Sequence, residues 1–249
     1  MTPAVRAATH TVAVTESTSI RWDHAIGGTI PFEAAPRPPT ALARSDYYFP
    51  DAHLAEGDGP AAVGADFSPS TIIEAYRAGY FPWPHDAEEY LWFSPDPRAV
   101  LPVGGLHVSG RLARTIRQRR FRLTFDTAFG HVLAACADRV EGSWITPAYT
   151  DGYVALHRLG WAHSIEVWQD DLLAGGLYGI RTGNMFGAES MFHRVSDASK
   201  VAMVALMQWV EREGITLVDV QVTTPHTARM GAVEVPRDEY LLLLRNAIQ

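Results

Sequence analysis

The stretch NMFGAESMFHRVSDASKVAMVALMQWVEREGITLVDVQV, residues 184–222, decides the fold. It reads as strand, polar loop, helix and strand. Period-two alternation puts Met185, Gly187, Glu189 and Met191 on one face of the first strand. It puts Leu217, Asp219 and Gln221 on one face of the last, with Val218, Val220 and Val222 on the other. Two carboxylates and an amide therefore arise inside apolar strands, where burying polar groups is costly. A solvated or structurally paired face accounts for them in one way. The glycine, methionine and leucine sharing those faces point instead to a lined pocket.

Upstream, HSIEVWQ, LLAGGLYGI and NMFGAESMF are separated by turns at Asp170-Asp171 and Thr182-Gly183, the pattern of an antiparallel meander. Gly175, Gly176 and Gly179 inside the middle strand predict a bulge or the close approach of another backbone. Three strands, a helix to Glu213 and a further strand make a mixed α+β sheet protein. Ser196 or Asp197 is the expected N-cap of that helix, and the free N–H groups at its start suit an anion. Lys200 in the first turn opposes the helix dipole unless an anion is near. It reads either as a phosphate ligand, with His193 and Arg194, or as a surface lysine.

The chain has 249 residues, enough for one large or two modest domains. Its one cysteine, Cys136, forbids an internal disulfide and fits a reducing compartment. Cys136 lies in the apolar run VLAACA and reads as a buried small hydrophobe. No apolar run reaches the ~18 residues of a membrane span, and no basic-then-apolar leader opens the chain. A cytoplasmic protein, acting as a monomer, is expected. The net charge of −7 argues against a non-specific nucleic-acid coat. A local reversal interrupts it: six arginines and no acid lie between His107 and Arg122. Arg111, Arg114 and Arg117 share one face of a helix predicted to begin after Ser109, and Arg120 follows it. This is a solvated face or, since no acid interleaves, a surface for a polyanion.

Residues 1–40 read as a tail or linker, residues 41–97 as a small aromatic-rich N-terminal domain and residues 98–249 as the main domain. Ser68-Pro69 opens a helix that Gly79 closes. Six aromatics follow between Tyr80 and Phe93, with five prolines from Pro82 to Pro102. They form either a ligand wall or a small core, and Trp83 suits both. Asp151 is the expected start of a helix that ends near Gly160, with Trp144 and Tyr153 flanking the turn. A strand FRLTF, a helix from about Thr127 and a last helix over 237–247 complete the pattern. The sequence holds no phosphate-loop or dinucleotide motif, no metal-ligand spacing and no nucleophile elbow. His163, Glu166 and His226 read as structural, and no metal or cofactor is expected.

The succession of antiparallel strands, anion-binding loop, helix and strand resembles the acetyltransferase-like (acyl-CoA N-acyltransferase) fold. More specifically, the chain resembles the leucyl/phenylalanyl-tRNA–protein transferase family. The segments that carry this are VGADFSP (63–69), AYRAGYFPW (75–83), WFSPDPRAVL (92–101), SWITPAY (143–149), LHRLGWAHSIEVW (156–168), GGLYGI (175–180), ESMF (189–192), ASK (198–200), DVQV (219–222) and PHTARMGA (225–232). Phe93, Ala65 and Gly187 depart from the tryptophan, glycine and cysteine usual at those places.

The resemblance implies transfer of Leu or Phe, and possibly Met, from aminoacyl-tRNA to the N-terminal Arg or Lys of an acceptor protein, which marks that protein for degradation by the N-end rule. By the same resemblance Asp219 and Gln221 form a relay to the acceptor amine, and Glu189 faces that amine or its basic side chain. Trp83, Trp144 and Tyr153 surround the terminal adenosine, and Met191 takes the donor side chain. Arg111, Arg114, Arg117 and Arg120, with Lys200, hold the tRNA. The rival readings are an acyl-CoA-dependent N-acyltransferase and a non-catalytic binder of basic peptide N-termini.

Overall fold

A computed structural model describes residues 25–32, 36–57, 59–83, 89–139 and 142–249. A small three-stranded antiparallel sheet comprises β1 (Ala62–Val63), β2 (Phe81–Pro82) and β3 (Leu91–Phe93), in the order β1-β3-β2. Helix α1 (Pro69–Arg77) leads into β2. Pro69 fills its first position, where a missing N–H costs nothing.

The main sheet has seven strands in the order β10-β4-β9-β8-β7-β6-β5. They are β4 (Arg98–Val100), β5 (Arg122–Phe125), β6 (Ala162–Gln169), β7 (Leu172–Thr182), β8 (Met185–His193), β9 (Leu217–Gln221) and β10 (Val233–Val235). Every pair is antiparallel except β8 and β9, which run parallel and are joined through α5 (Ala198–Arg212). The predicted meander is thus β6–β8. Gly179 is where another backbone comes close, since a Cβ there would lie 2.2 Å from the Gly187 carbonyl oxygen.

Helices cover both faces. On one lie α1, α3 (Phe129–Ala137), α4 (Pro147–Arg158) and α7 (Arg237–Ala247), whose buried side chains share a core with Tyr178, Ile180 and Met185. On the other lie α2 (Gly110–Arg117) and α5. Helix α5 is buried from Val201 to Val210, as a helix that is apolar on nearly all sides must be. The short α6 (Pro225–Arg229) follows β9. Among the described residues, no helix is long and apolar enough to cross a membrane.

Three expectations change, and one open alternative is decided. Much of the stretch read as a tail, residues 1–24 and 33–35, lies outside the described residues. The remainder is packed: Ile26 is buried, the Ile30 N–H donates to Gln208, and the Trp161 indole donates to the Thr40 carbonyl. Apolar side chains at Ile26, Ile30 and Phe32 dock one part on the core around α2 and α5, while Thr40 meets Trp161 of the other core. Helix α4 starts at Pro147, not Asp151, because Thr146 caps it by accepting the Tyr149 N–H. The aromatic stretch is mostly core, with Tyr80, Phe81, Trp92 and Phe93 buried. Met191 leaves the face of Met185 and packs against the second core, because β8 carries a bulge. Tyr178 pairs with Ser190 and Gly179 with Ala188, so Glu189 has no partner across the ladder.

Candidate active site

Two irregular strands aim the polar groups. The bulge at Glu189 is one. In β9, Ala99 pairs with Gln221 and Val100 with Asp219, which leaves Val220 unpaired, and Gln221 adopts a left-handed backbone (φ 66). A non-glycine residue in that conformation is strained and needs fixing by its surroundings. Asp219 supplies the fixing, since its Oδ1 accepts the Gln221 N–H at 2.8 Å.

Asp219 itself is fully buried. Arg98 grips it with both arms, Nε to Oδ1 at 2.9 Å and Nη2 to Oδ2 at 2.6 Å. The Tyr240 hydroxyl donates to Oδ2 at 2.9 Å. Arg98 is equally buried, donates to the Gly79 carbonyl, and lies between the rings of Phe81 and Tyr240 at 4.6 and 4.4 Å. Burial of such a pair is tolerable because both carboxylate oxygens are paired and all three guanidinium nitrogens donate.

Glu189 sits otherwise. It accepts hydrogen bonds from the Tyr76 hydroxyl, from Tyr149 at 3.2 Å and from Gln221 Nε2 at 3.2 Å. Tyr153 hydrogen-bonds to Tyr76, and Tyr178 donates to Tyr149, each at 3.3 Å. Burial raises the Glu189 carboxyl to about 7, against the pull of its hydroxyl and amide donors. Burial and the neighbouring carboxylate hold all four tyrosines well above their ordinary range. Gly187 makes room: a Cβ there would lie 3.0 Å from the Tyr76 ring and 3.6 Å from Glu189 Oε1.

Glu189 and Gln221 both line a cavity of about 510 Å³. Phe81, Trp83 and Trp144 form one part of its wall, and Leu177, Met191, Met203 and Val220 another. Arg139 reaches it and donates to Ser190. His193 and His226 also line it, and His226 Nε2 is buried without a hydrogen-bond partner. Burial, with Lys200, Arg229 and His193 nearby, lowers the His226 pKa.

The structure therefore brings together Glu189, Gln221, Trp83, Trp144 and Met191. It separates two of the expected residues from the cavity. Tyr153 is fully buried and stacks on Tyr149 at 4.0 Å, so its ring has no face left for an incoming base. Asp219 touches Gln221 but does not line the cavity. Arg111, Arg114, Arg117 and Arg120 are exposed on α2 and just after it. The premise that no acid balances them is corrected for the first, because Asp197 of the α5 N-terminus lies 3.5 Å from Arg111. The same carboxylate pairs with Lys200 at 3.4 Å. Asp197 caps α5 by position only, with a left-handed backbone and no side-chain capping hydrogen bond to the helix backbone.

Sequence reading did not single out Arg98, Tyr76, Tyr149, Tyr240 or Arg139, and it read His226, which lines the cavity, as structural. The first three lie in segments quoted for the resemblance, but no local pattern marks a tyrosine as a carboxylate's partner. Ala65 now has a reason to be glycine elsewhere: it holds a left-handed backbone (φ 67).

Comparison with known proteins bears on all of this. The family model described as leucyl/phenylalanyl-tRNA protein transferase matches residues 100–245, and that of its N-terminal domain matches residues 65–96. The leucyl/phenylalanyl-tRNA–protein transferase of Anaeromyxobacter sp. (strain Fw109-5) is 52% identical over 204 residues, covering 80% of this chain and 87% of that one. The protein of that name from Proteus mirabilis (strain HI4320) is 49% identical over 202 residues, covering 80% and 88%. That of Aromatoleum aromaticum is 46% identical over 211 residues, covering 84% and 89%.

Proposed function

The chain belongs to the leucyl/phenylalanyl-tRNA–protein transferase family, and from that premise we propose that it moves Leu or Phe from charged tRNA to the α-amine of a protein beginning with Arg or Lys. The product would be marked for degradation, in the cytoplasm, by its new N-terminus. The observation that carries the reading is the pairing of Glu189 with Gln221 at 3.2 Å on the wall of a largely apolar cavity.

The chemistry asks for little beyond placement. An aminoacyl ester is already activated, so no covalent nucleophile is needed. Holding a neutral amine ~3–3.5 Å from the ester carbonyl contributes several kcal/mol. The acceptor amine has an ordinary pKa of about 7.7–8.0, so a useful fraction is neutral near pH 7. Gln221 and Glu189 face that amine, and Asp219 keeps Gln221 in place. Leu177, Met191, Met203 and Val220 suit an apolar donor side chain. Trp83 and Trp144 offer flat faces to the terminal adenosine, whose single-stranded base is free to stack. The exposed Arg111, Arg114, Arg117 and Arg120 suit the phosphates of the acceptor stem. Lys200 stands at the edge of that patch.

The same reading divides the chain into the small N-terminal sheet unit, residues 41–97, and a catalytic domain, residues 98–249. It assigns the latter the acetyltransferase-like fold. What supports that assignment is the antiparallel run β5–β8 followed by a parallel neighbour across α5.

One incubation tests the reaction. Leu-tRNA and Phe-tRNA are offered with a peptide starting in Arg and another starting in Ala, and masses are read. The Arg peptide gains one leucyl or phenylalanyl residue and the Ala peptide does not. Acetyl transfer from acetyl-CoA would favour an acyl-CoA enzyme, and retention of the peptide with no mass gain a binding protein.

A further inference from the structure

Two carboxylates stand near Gln221, and their surroundings assign them different work. Asp219 has no lone pair to spare: four donors, two from Arg98, one from Tyr240 and one from Gln221, occupy its two oxygens. It has no exposed surface and does not line the cavity. Taking a proton there would break its pair with an Arg98 that is itself buried. Glu189 lies on the cavity wall, and its donors are hydroxyls and an amide, none of them a cation.

We propose that Glu189 takes the proton from the acceptor amine and returns it to the departing ribose oxygen, while Asp219 is the fixed counter-ion of Arg98. Arg98 and Tyr240 are then positioning residues: they hold Asp219, which holds the strained backbone of Gln221. The inference rests on the transfer reaction proposed above. In that reaction the amine lone pair attacks the ester carbonyl and the C–N bond forms. The N–H proton passes to a Glu189 oxygen. The carbon–oxygen bond to the ribose breaks, and the leaving oxygen takes the proton from Glu189. The carboxylate is regenerated, and no further reactant is consumed.

The groups that face Glu189 are Tyr76 of α1, Tyr149 and Tyr153 of α4, Tyr178 of β7 and Asp219 of β9. Asp219 raises the Glu189 pKa, and the Tyr76, Tyr149 and Gln221 donors lower it. Arg98 and Tyr240 lie behind Asp219. A proton acceptor works best when it titrates near the working pH, and this cage leaves Glu189 at about 7.

The experiment is the single-turnover rate of leucyl transfer to an Arg-initiated peptide between pH 5.5 and 9. It compares wild type, Glu189→Gln, Asp219→Asn, Arg98→Lys and Tyr76→Phe. The wild-type rate rises through two inflections, that of Glu189 and that of the acceptor amine. Glu189→Gln keeps only the second, with the rate constant down by about 10²–10⁴ and the peptide KM within threefold of wild type. Asp219→Asn and Arg98→Lys lower the rate but keep both inflections. Tyr76→Phe, which removes a single oxygen and so keeps the test alive if larger changes unfold the chain, moves the lower inflection upward. A Glu189→Gln enzyme whose KM rises at unchanged rate constant makes Glu189 a cation-binding group and overturns the proposal. Loss of the lower inflection in Asp219→Asn alone does so too. A wild type that adds no mass to the peptide overturns the transfer reaction itself.

Discussion

The buried polar interior and the arginine helix are made of the same kinds of group, yet different physics governs them. Around Glu189 and Asp219 the polar atoms are held within hydrogen-bond distance by irregular strands and have almost no water to fall back on. Removing one partner leaves another unsatisfied, at a cost of about 1–3 kcal/mol for a neutral group and about 3–5 kcal/mol for a stranded charge. Along α2 the charges stand in solvent. Each contributes little to stability, and together they create a field that salt screens. The interior fixes where an amine can sit. In the proposed reaction, the helix affects how readily a polyanion arrives.

The largest break in that comparison comes from Asp219→Ala. It strands the buried Arg98 guanidinium, and chemical denaturation should show a loss of about 3–5 kcal/mol. A loss below ~1 kcal/mol would mean that Arg98 finds water or another partner. Next is the pH dependence of stability. The Glu189 carboxyl moves from an ordinary 4.5 to about 7 on folding, so between those values the folded chain holds a proton that the unfolded chain releases. Stability therefore falls as pH rises from 4.5 to 7, by up to about 3 kcal/mol, and stays low above it. Glu189→Gln should remove that slope, so melting curves of variant and wild type converge at low pH and separate by pH 8. Parallel curves would remove the raised carboxyl from the account.

Tyr149→Phe is smaller. It takes one donor from Glu189 and the acceptor from Tyr178, and should cost about 1–2 kcal/mol. It should also raise the pH at which transfer rates begin to climb. Smallest in stability are Arg114→Glu and Arg117→Glu, within ~0.5 kcal/mol of wild type. Each should nonetheless weaken use of charged tRNA and flatten its log–log salt dependence by about one unit per lost phosphate contact. An unchanged slope would make α2 a solvated face and nothing more.

The same contrast explains what could be read in advance. Strand alternation and turn residues are local signals, so β6–β9 and α5 were legible, as was the last helix over 237–247. Glu189, Asp219 and Gln221 stood out because polar residues inside apolar strands are conspicuous. Their grouping within a few ångströms is a property of strand register, which no local pattern gives. The bulge at Glu189 moved Met191 to the other core, and a strict period of two cannot foresee an extra residue. Arg98 escaped notice because an arginine in a loop-like, proline-rich stretch looks like any surface arginine. Only the tertiary fold shows it between Phe81 and Tyr240. Tyr153, which the resemblance sets beside the terminal adenosine, is spent by the fold on the tyrosine cage, a grouping that no local pattern announces.

The most direct test is the mass of an Arg-initiated peptide after brief exposure to Leu-tRNA, with wild type and Glu189→Gln side by side at pH 7.5. Wild type should add one leucyl residue, and the variant should add it at least about a hundredfold more slowly while melting as a folded protein. Equal addition by both, or none by either, would contradict the account.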